Sequence, residues 1–417
     1  MKDKKILFGT FIALLLLLTT GLSYAYFSAS ISGNENAKNV VVEAGTLSLV
    51  YTDGSEIKAQ NIKPGWSTTK EVSVKNTGTL DTNYNVIWQS LTNEITNNEM
   101  VISATCQRLN ASGTVEGTCE SISQAAISDM TIAKKINIEA GITHKYTFTI
   151  LFKETNSDQN YNQGKGFNGV LGIEEYKAPD FATDSWSTII ANVKAGNGSE
   201  YAVGSTKEVD LGTTYGTHTL RVANTSIPSE CSTTGFSQSA CGFVLEFADI
   251  VTTHNMNPAG TYNGTQYENG WNKDGWPATS MRTFVNNDIY NAIPVEIKNA
   301  IIDTTVVSGH GKSDTENFTS TDKLYLLAPK EIYINWSDRY DTSKYLTRTL
   351  DYYTSIGVTT SNYSGAIKKN GTSASAWWLR VANSIGNDTF YDVYSDGDWF
   401  RNGANYTYGV SPAFRLG

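Results

Sequence analysis

Trp377-Trp378-Leu379-Arg380 begins the part of the chain that decides its fold, and Gly409-Val410-Ser411-Pro412-Ala413-Phe414-Arg415-Leu416-Gly417 ends it. Both stretches are strand-like, and between them residues 383–408 are rich in Asn, Tyr, Asp and Ser and contain no Lys. Protein cores hold few such polar side chains, and disordered tails have fewer aromatic ones. Tyr combined with short polar residues is typical of recognition surfaces. The composition therefore predicts a binding surface on a strand framework; a long solvated connection is the alternative.

The predicted ligand-binding residues are expected to lie exposed on one face of this surface. They are Tyr391, Asp392, Tyr394, Trp399, Arg401, Asn405 and Tyr406. Trp399 is the predicted anchor, because turn residues flank it on both sides and because Trp, Tyr and Arg dominate binding hot spots. Trp377 and Trp378 are instead embedded in an apolar strand pattern, which predicts that they belong to the core.

Length and charge narrow the class of protein. A chain of 417 residues is long enough for two or three domains. The net charge of −9 argues against nucleic acid as a partner. Abundant Tyr and Gly with only 8 Pro favour strands and turns over helical bundles.

The N-terminus carries a targeting segment. Three lysines within residues 2–5 precede an apolar run over residues 6–18, and Ser23 and Ala25 suit the −3 and −1 positions of a cleavage site before Tyr26. Residues 1–25 are therefore a signal peptide or, if they are not cleaved, an N-terminal membrane anchor. Either outcome places the rest of the chain outside the cytoplasm, secreted or held at the membrane by this helix.

The four cysteines fit that compartment. Cys106 and Cys119 bracket a predicted hairpin, and Cys231 and Cys241 are again close in sequence. We expect two local disulfides, Cys106–Cys119 and Cys231–Cys241, as in other extracytoplasmic proteins. Reduced cysteines are the alternative. No C-x-x-C pair is present to indicate a zinc site.

Short strand-like runs separated by Gly, Asn, Asp and Pro turns fill residues 26–180, which predicts an all-β sandwich. The boundary is expected near Lys177-Ala178-Pro179-Asp180. Residues 181–417 mix strands with helical patterns, most clearly at 280–303, where Ser280 can cap one helix and Pro294 can open a second.

The N-terminal part resembles camelysin-type proteins. The resemblance rests on Gly21-Leu22-Ser23-Tyr24-Ala25-Tyr26-Phe27-Ser28, followed by Lys63-Pro64-Gly65 and Lys75-Asn76-Thr77-Gly78. It implies a secreted β-sandwich of Gram-positive cell surfaces and biofilm matrices. The family name refers to a protease activity, but the sequence has no His-Glu-x-x-His motif, so no catalysis is carried over.

Residues 204–417 resemble a domain family of uncharacterised function common in Gram-positive and phage-related proteins. The carrying stretches are Gly275-Trp276-Pro277, Met281-Arg282-Thr283-Phe284, the strand 321–327, Trp377-Trp378-Leu379-Arg380, Phe390-Tyr391-Asp392-Val393 and the terminal strand 409–416. That family is similar to the C-type-lectin-like fold of formylglycine-generating enzymes and of the variable receptor proteins of diversity-generating retroelements. The resemblance implies an α+β C-type-lectin-like domain over residues 181–417.

Catalytic and metal motifs are not evident in the sequence. No cysteine follows Cys241, which excludes the chemistry of formylglycine-generating enzymes. The four histidines lack metal spacing, so we expect no enzyme and no cofactor. Calcium is the alternative, because Asp388, Asp392, Asp396 and Asp398 lie close together in sequence and carry the oxygen ligands that this ion prefers.

The expected protein is thus an adhesin-like binding protein of a Gram-positive-type cell surface, with a lectin-like recognition face carried on a β-sandwich stalk. Its partner would be a protein or glycan, and not a nucleic acid. One alternative is a structural subunit of a surface or biofilm matrix without a specific ligand, and another is a surface enzyme.

Overall fold

Strands dominate the part of the chain that the computed structural model describes, which is residues 40–44, 47–54 and 62–417. Two units are present, one ending at Lys177 and the other spanning Ala178–Gly417. The predicted signal segment 1–25 and Tyr26 lie outside the described residues. Within the described ranges, no helix is both long enough and apolar enough to cross a lipid bilayer.

The described part of the first unit is built from strands and one 3₁₀ turn, Asn160–Asn162. Its strands are β1 Val40–Ala44, β2 Leu47–Thr52, β3 Ser67–Asn76, β4 Thr82–Asn93, β5 Met100–Leu109, β6 Val115–Thr118, β7 Ile122–Ala126, β8 Thr131–Ile138, β9 Thr143–Phe152 and β10 Phe167–Glu175. One sheet has the order β1-β2-β3-β9-β5-β6, with β7 also paired to β5, and the second has the order β10-β4-β8.

These two sheets share one core. Along β9 every second residue is buried, and β4 alternates in the same way through Trp88. This period of two turns one row of each strand inward. The hydroxyls of Tyr84 on β4 and Tyr146 on β9 lie 2.9 Å apart between the sheets. The first unit is therefore the β-sandwich that the turn spacing predicts.

Both predicted disulfides are present. Cys106, on β5, is bonded to Cys119, which follows β6, and their Cα atoms are 5.0 Å apart. Cys231 is bonded to Cys241 in the second unit, with Cα atoms 6.0 Å apart. The pairing within each unit confirms the two local links.

The second unit mixes short strands and helices. Its strands are β11 Thr206–Asp210, β12 Thr217–Asn224, β13 Val244–Phe247, β14 Thr252–His254, β15 Gly260–Tyr262, β16 Thr265–Tyr267, β17 Thr304–Ser308, β18 Phe318–Asp322, β19 Lys368–Asn370, β20 Ser373–Ser375, β21 Trp377–Ala382, β22 Thr389–Val393, β23 Trp399–Gly403, β24 Tyr408–Val410 and β25 Ala413–Arg415. Its α-helices are α1 Trp186–Lys194, α2 Gly212–Tyr215, α3 Ser280–Phe284, α4 Tyr290–Ala292, α5 Val295–Lys298, α6 Pro329–Ile332 and α7 Asp351–Ser355. Its 3₁₀ turns are Gly198–Glu200, Ser229–Ser232, Trp276–Ala278 and Ser364–Ala366.

Two larger sheets organise this unit. One has the order β11-β12-β13-β25, and the other has the order β14-β24-β21-β22-β23. The chain leaves the second sheet after β24 and returns to the first through β25. Ser411 lies at this crossing, where its hydroxyl donates to the carbonyl of Phe247 at 2.9 Å. Every residue of β21 is buried, as its apolar pattern predicts.

The predicted helix after Ser280 contains an irregularity. A π-helical turn, Val285–Ile289, separates α3 from α4. Met281, Val285 and Ile289 are all fully buried, while Phe284 is only partly so. Thr279, rather than Ser280, caps the helix, accepting from the backbone N–H of Arg282 at 3.0 Å. Pro294 stands immediately before α5, as expected for a helix start.

Candidate functional site

The floor of the site is β21, which is fixed from both sides. The indole N–H of Trp377 donates to the carbonyl of Ala366, and that of Trp378 donates to the carbonyl of His254, each at 3.1 Å. Indole N–H groups need such partners when the ring is buried. Both rings are fully buried, so they hold the strand in place beneath its neighbours.

A buried ion pair fixes the same strand further along. The two terminal nitrogens of Arg380 each donate to a different carboxylate oxygen of Glu331, at 2.6 Å. Arg380 also donates to the carbonyls of Val307 and Leu326. Both charged side chains are completely buried. This geometry is structural: the guanidinium ties β21 to α6.

The predicted binding segment forms a hairpin at the sheet edge. β22 pairs with β23 so that Asp392 is opposite Phe400. The connecting turn is closed by a bond from the N–H of Tyr394 to the carbonyl of Asp398 at 2.7 Å. Gly397 in this turn has φ +92° and lies against the backbone of Tyr363, where a Cβ atom would approach the carbonyl oxygen to 2.2 Å. Glycine is therefore required at this position.

Alternation along this hairpin divides the predicted site residues between two faces. Trp399 and Arg401 lie on one face with Tyr391. Trp399 packs edge-to-face on Trp336 with ring centroids 4.8 Å apart, and Tyr391 packs on the same Trp336 at 5.4 Å. A terminal nitrogen of Arg401 lies 3.6 Å from a carboxylate oxygen of Asp338. This face is packed against the loop that follows α6.

The opposite face carries four aromatic side chains, Tyr394, Phe400, Tyr406 and Tyr408, which we call the aromatic cluster. Tyr394 and Phe400 are stacked with centroids 4.9 Å apart, and Tyr406 and Tyr408 are 5.7 Å apart. Tyr408 also packs on the buried Trp378 at 5.0 Å. Phe400 is 48% exposed and Tyr406 is 50% exposed. Solvent thus reaches aromatic rings that stand on a buried strand.

Asp392 lies on the same face of the sheet and is fully buried. Its two carboxylate oxygens each receive a bond at 3.2 Å from one donor, the side-chain amide of Asn402. Burial raises the pKa of Asp392 to about 7. The pKa of Tyr408 is raised to about 12, first by burial and then by the charges of Asp392, Tyr394 and Tyr406. These four side chains therefore lie close together.

The prediction that all seven site residues lie exposed on one face is wrong in its geometry. Tyr391 and Asp392 are fully buried, because β22 has β21 on one side and β23 on the other and both of its faces are covered. Trp399 is half-buried on the face of Trp336. Their role in binding stays a prediction.

Three of the seven residues do lie on the aromatic face: Tyr394 and Tyr406, and the buried Asp392. Asn405 is half-exposed, and its amide donates to the carbonyl of Glu268 at 3.2 Å. Phe400 and Tyr408 belong to the cluster, and Asn402 lies on the same face, but none of the three was predicted. A strand assignment over Trp399–Gly403 would have found Phe400 and Asn402, since side chains alternate between faces in a strand.

The aspartates considered for calcium do not converge. Asp388 accepts from the amide of Asn269 at 3.2 Å, Asp396 accepts from the N–H of Asp398 at 3.1 Å, and Asp392 is bound by Asn402. In the described ranges, one group of side chains has possible metal-ligand atoms within 4.8 Å of one another. Its members are Cys106, Cys119 and His144.

That group does not suit a metal ion. Metals bind cysteine as the thiolate, and both sulfurs are joined in a disulfide. The Nδ1 atom of His144 is 2.9 Å from the hydroxyl of Tyr84, and burial lowers the pKa of this imidazole to about 4. The ring therefore completes a hydrogen-bonded core with Tyr84 and Tyr146.

Comparison with known proteins adds two family matches. Residues 3–99 match the family described as camelysin metallo-endopeptidase, which agrees with the resemblance of the N-terminal part. Residues 248–417 match a domain of unknown function, DUF6273. No curated protein matches the chain.

The camelysin match overturns the prediction that the chain is not an enzyme, because the matched family is described as a metallo-endopeptidase. The same description connects the N-terminal part with a possible metal ion, against the prediction of no cofactor. Residues 3–99 contain neither His nor Cys. The side chains favoured by zinc are therefore missing from the matched segment itself, and the His and Cys residues that follow it form the disulfide-containing group described above.

Proposed function

We propose that this chain is an extracytoplasmic surface protein whose second unit binds a ligand through the aromatic cluster. The observation that carries the proposal is the exposure of Phe400 and Tyr406 in a sheet that contains the fully buried strand β21. Tyr supplies large contact area at low conformational cost, and exposed aromatic groups mark interaction sites. The lysine-flanked apolar N-terminal run and the two disulfides support a location outside the cytoplasm.

The fold proposed for Ala178–Gly417 is C-type-lectin-like. Support comes from the terminal strand β25, which carries Phe414 and Arg415 and pairs with β13. Further support comes from the segment between β21 and β24, which forms an edge hairpin carrying the recognition residues. A scaffold of buried strands with ligand contacts on an edge hairpin suits a binding module.

A matrix subunit without a specific ligand is less well supported. Such a subunit needs contact area but no particular ring geometry, whereas here Tyr394 stacks on Phe400, Tyr406 packs on Tyr408, and a buried carboxylate lies on the same face of the sheet. The test is an array of proteins and glycans probed with the full chain and with the Phe400→Ala/Tyr406→Ala variant. Ligand-specific binding that the double substitution removes supports the proposal, and equal signals from both proteins contradict it.

Metal-dependent peptide cleavage is a second candidate function, favoured by the family match over residues 3–99. The described residues bring together no set of side chains that fits a metal ion, since the candidate group contains the Cys106–Cys119 disulfide. Incubation of the purified chain with a mixed peptide library, with and without a chelator, tests it. Chelator-sensitive cleavage supports the candidate, and identical peptide profiles in both conditions contradict it.

A further inference from the structure

We propose that the aromatic cluster binds a quaternary ammonium group, with the carboxylate of Asp392 beneath the rings as its counter-charge. This inference rests on the proposed binding function and names the chemical class of the ligand. The cation would lie against the accessible surfaces of Tyr394, Phe400, Tyr406 and Tyr408. Aromatic faces attract cations through their quadrupole, and quaternary ammonium recognition is an established use of such clusters.

The charge of Asp392 is the first argument. Six acidic side chains are buried in the described chain, and three of them pair with a cation: Glu246 with Arg221 and Lys368, Asp322 with Arg282, and Glu331 with Arg380. Pairing of this kind is the general rule for buried charges, because burial removes the hydration of the ion. Asp392 forms no ion pair with any described residue.

The remaining two buried acids are satisfied by hydrogen bonds instead. Glu99 accepts from Gln159, Tyr161 and Asn162. Asp341 accepts from the indole of Trp336 and from the N–H and hydroxyl of Ser343. Asp392 has a single amide donor shared between both oxygens. Among the buried acids, Asp392 is the one whose charge the described residues leave uncompensated.

The surroundings of Asp392 explain why a cation is the expected occupant. From the neighbouring strands it is faced by Trp378 on β21, by Phe400 and Asn402 on β23 and by Tyr408 on β24. The titratable groups near it are tyrosines. The charge of Asp392 helps to raise the pKa of Tyr408 and of Tyr333, and the hydroxyl of Tyr394 lies 3.4 Å from the side-chain amide of Asn402. A sugar would also stack on the rings, but a neutral ligand would leave the carboxylate without a counter-charge.

The same surroundings favour a quaternary over a primary ammonium. A primary ammonium carries three N–H donors that all need acceptors. Asp392 is fully buried, and the accessible surface of the cluster offers ring faces and tyrosine hydroxyls rather than carboxylate oxygens. A cation without N–H donors can lose its water at lower cost in such a place.

Protonation of Asp392 should control the affinity. The pKa of this carboxyl is raised to about 7, so the charged form is present above that pH and is lost below it. Binding of a cation should therefore be strongest near pH 8 and weaken as the pH falls through 7 toward 6. Tyr408, whose pKa is raised to about 12, stays neutral over this range and does not add to the change.

The experiment uses calorimetric titration of the full chain with choline and with 3,3-dimethylbutanol, its neutral isostere. At pH 8 we expect choline to bind about tenfold more tightly than the isostere, as a desolvated cation–π site with a counter-charge should allow. Ethanolamine, a primary ammonium of similar shape, should bind more weakly than choline. At pH 6 the preference of choline over its isostere should shrink.

Two matched variants assign the effect. Asp392→Asn should abolish both the preference for choline and its pH dependence, because the amide keeps the shape but carries no charge. Asp396→Asn removes an exposed charge from the adjacent turn and should change neither. Phe400→Ala, at an exposed ring, serves as a second cluster variant whose fold is checked by thermal melting, and it should weaken choline binding.

Equal affinities for choline and its isostere, or an unchanged preference in Asp392→Asn, overturn the ammonium proposal. These results remain distinct from failure of the proposed function. If the array gives ligand-specific binding that Phe400→Ala/Tyr406→Ala removes, while choline does not bind, the binding function stands and the ligand class assigned here is wrong. If neither assay detects binding, both proposals fail.

Discussion

The ring of Trp399 stands at 90° to the ring of Trp336, with centroids 4.8 Å apart. The side chain that follows it, Phe400, points to the opposite face of the sheet and stacks on Tyr394. One step along a strand thus separates a packing residue from an exposed one. Trp399 packs one face of the hairpin against Trp336, and Phe400 exposes its ring to solvent on the other face.

Replacing Trp399 should cost stability. Trp399→Ala is expected to lower the free energy of unfolding by about 1–3 kcal/mol, since the ring is half-buried and loses its edge-to-face contact. Trp377→Ala, at a fully buried ring whose N–H is also bonded, should cost about 3–5 kcal/mol. Phe400→Ala should change stability little. Urea denaturation of the three variants provides the comparison. A Trp399→Ala protein as stable as wild type would show that the ring is not part of the packing.

The ion pair beneath β21 should be costly to break from one side. Arg380→Met leaves Glu331 buried without its partner and should destabilise the protein by about 3–5 kcal/mol. Arg380→Met combined with Glu331→Met removes both charges and should be less destabilised than the single variant. Denaturation curves of the two variants decide the matter. If the double variant is the less stable of the two, the Arg380–Glu331 pair stabilises the fold by more than the neutralisation of two buried charges.

Several levels of this structure could be predicted from the sequence. The alternating burial along β9 and β4 appears in the residue pattern, and the disulfide partners are close in sequence. The β-sandwich and the two disulfides could therefore be predicted from local signals. The sequence did not predict which side chains of the edge hairpin are buried on each face. Tyr391 and Asp392 have the polarity of surface residues, and their burial depends on residues far away in sequence, such as Trp336 and Trp378. Composition indicated this segment as a candidate site but could not supply those long-range contacts.

Asp392 should give stability a distinctive pH dependence. Its pKa in the folded chain is about 7, above the ordinary value of 3.8, so the folded state holds a proton that the unfolded state releases. Its contribution to stability is therefore greatest below pH 4 and is lost as the pH rises from about 4 to about 7. At pH 8, Asp392→Asn should unfold at a higher denaturant concentration than wild type. The shift in pKa limits the increase in the free energy of unfolding to about 4 kcal/mol.

The difference between wild type and Asp392→Asn isolates this effect, because all other groups titrate in both proteins. The gain seen at pH 8 should nearly vanish at pH 4. A constant difference across this range would show that Asp392 titrates with an ordinary pKa, and its burial would then need another explanation.

The two disulfides should contribute independently. Cys106–Cys119 and Cys231–Cys241 close loops with sequence separations of 13 and 10 residues. In the chain-entropy model each should stabilise its own unit by about 2–3 kcal/mol. Mass spectrometry of non-reduced peptides checks the pairing, and Ser replacement of each pair checks the energy. A linked peptide joining Cys106 or Cys119 to Cys231 or Cys241 would contradict the division into two units.

Ligand binding by the aromatic cluster is tested most directly by comparing two tyrosine variants. Tyr406 lies in the cluster and is 50% exposed, while Tyr345 is 79% exposed in the same unit but is not a member of the cluster. The affinity of wild type, Tyr406→Ala and Tyr345→Ala for the strongest array ligand should be measured by calorimetry, with melting curves as the check on folding. We expect Tyr406→Ala to weaken binding by at least about tenfold, as for a hot-spot residue, and Tyr345→Ala to bind as wild type does. Equal affinities for Tyr406→Ala and wild type would contradict a ligand site at the aromatic cluster.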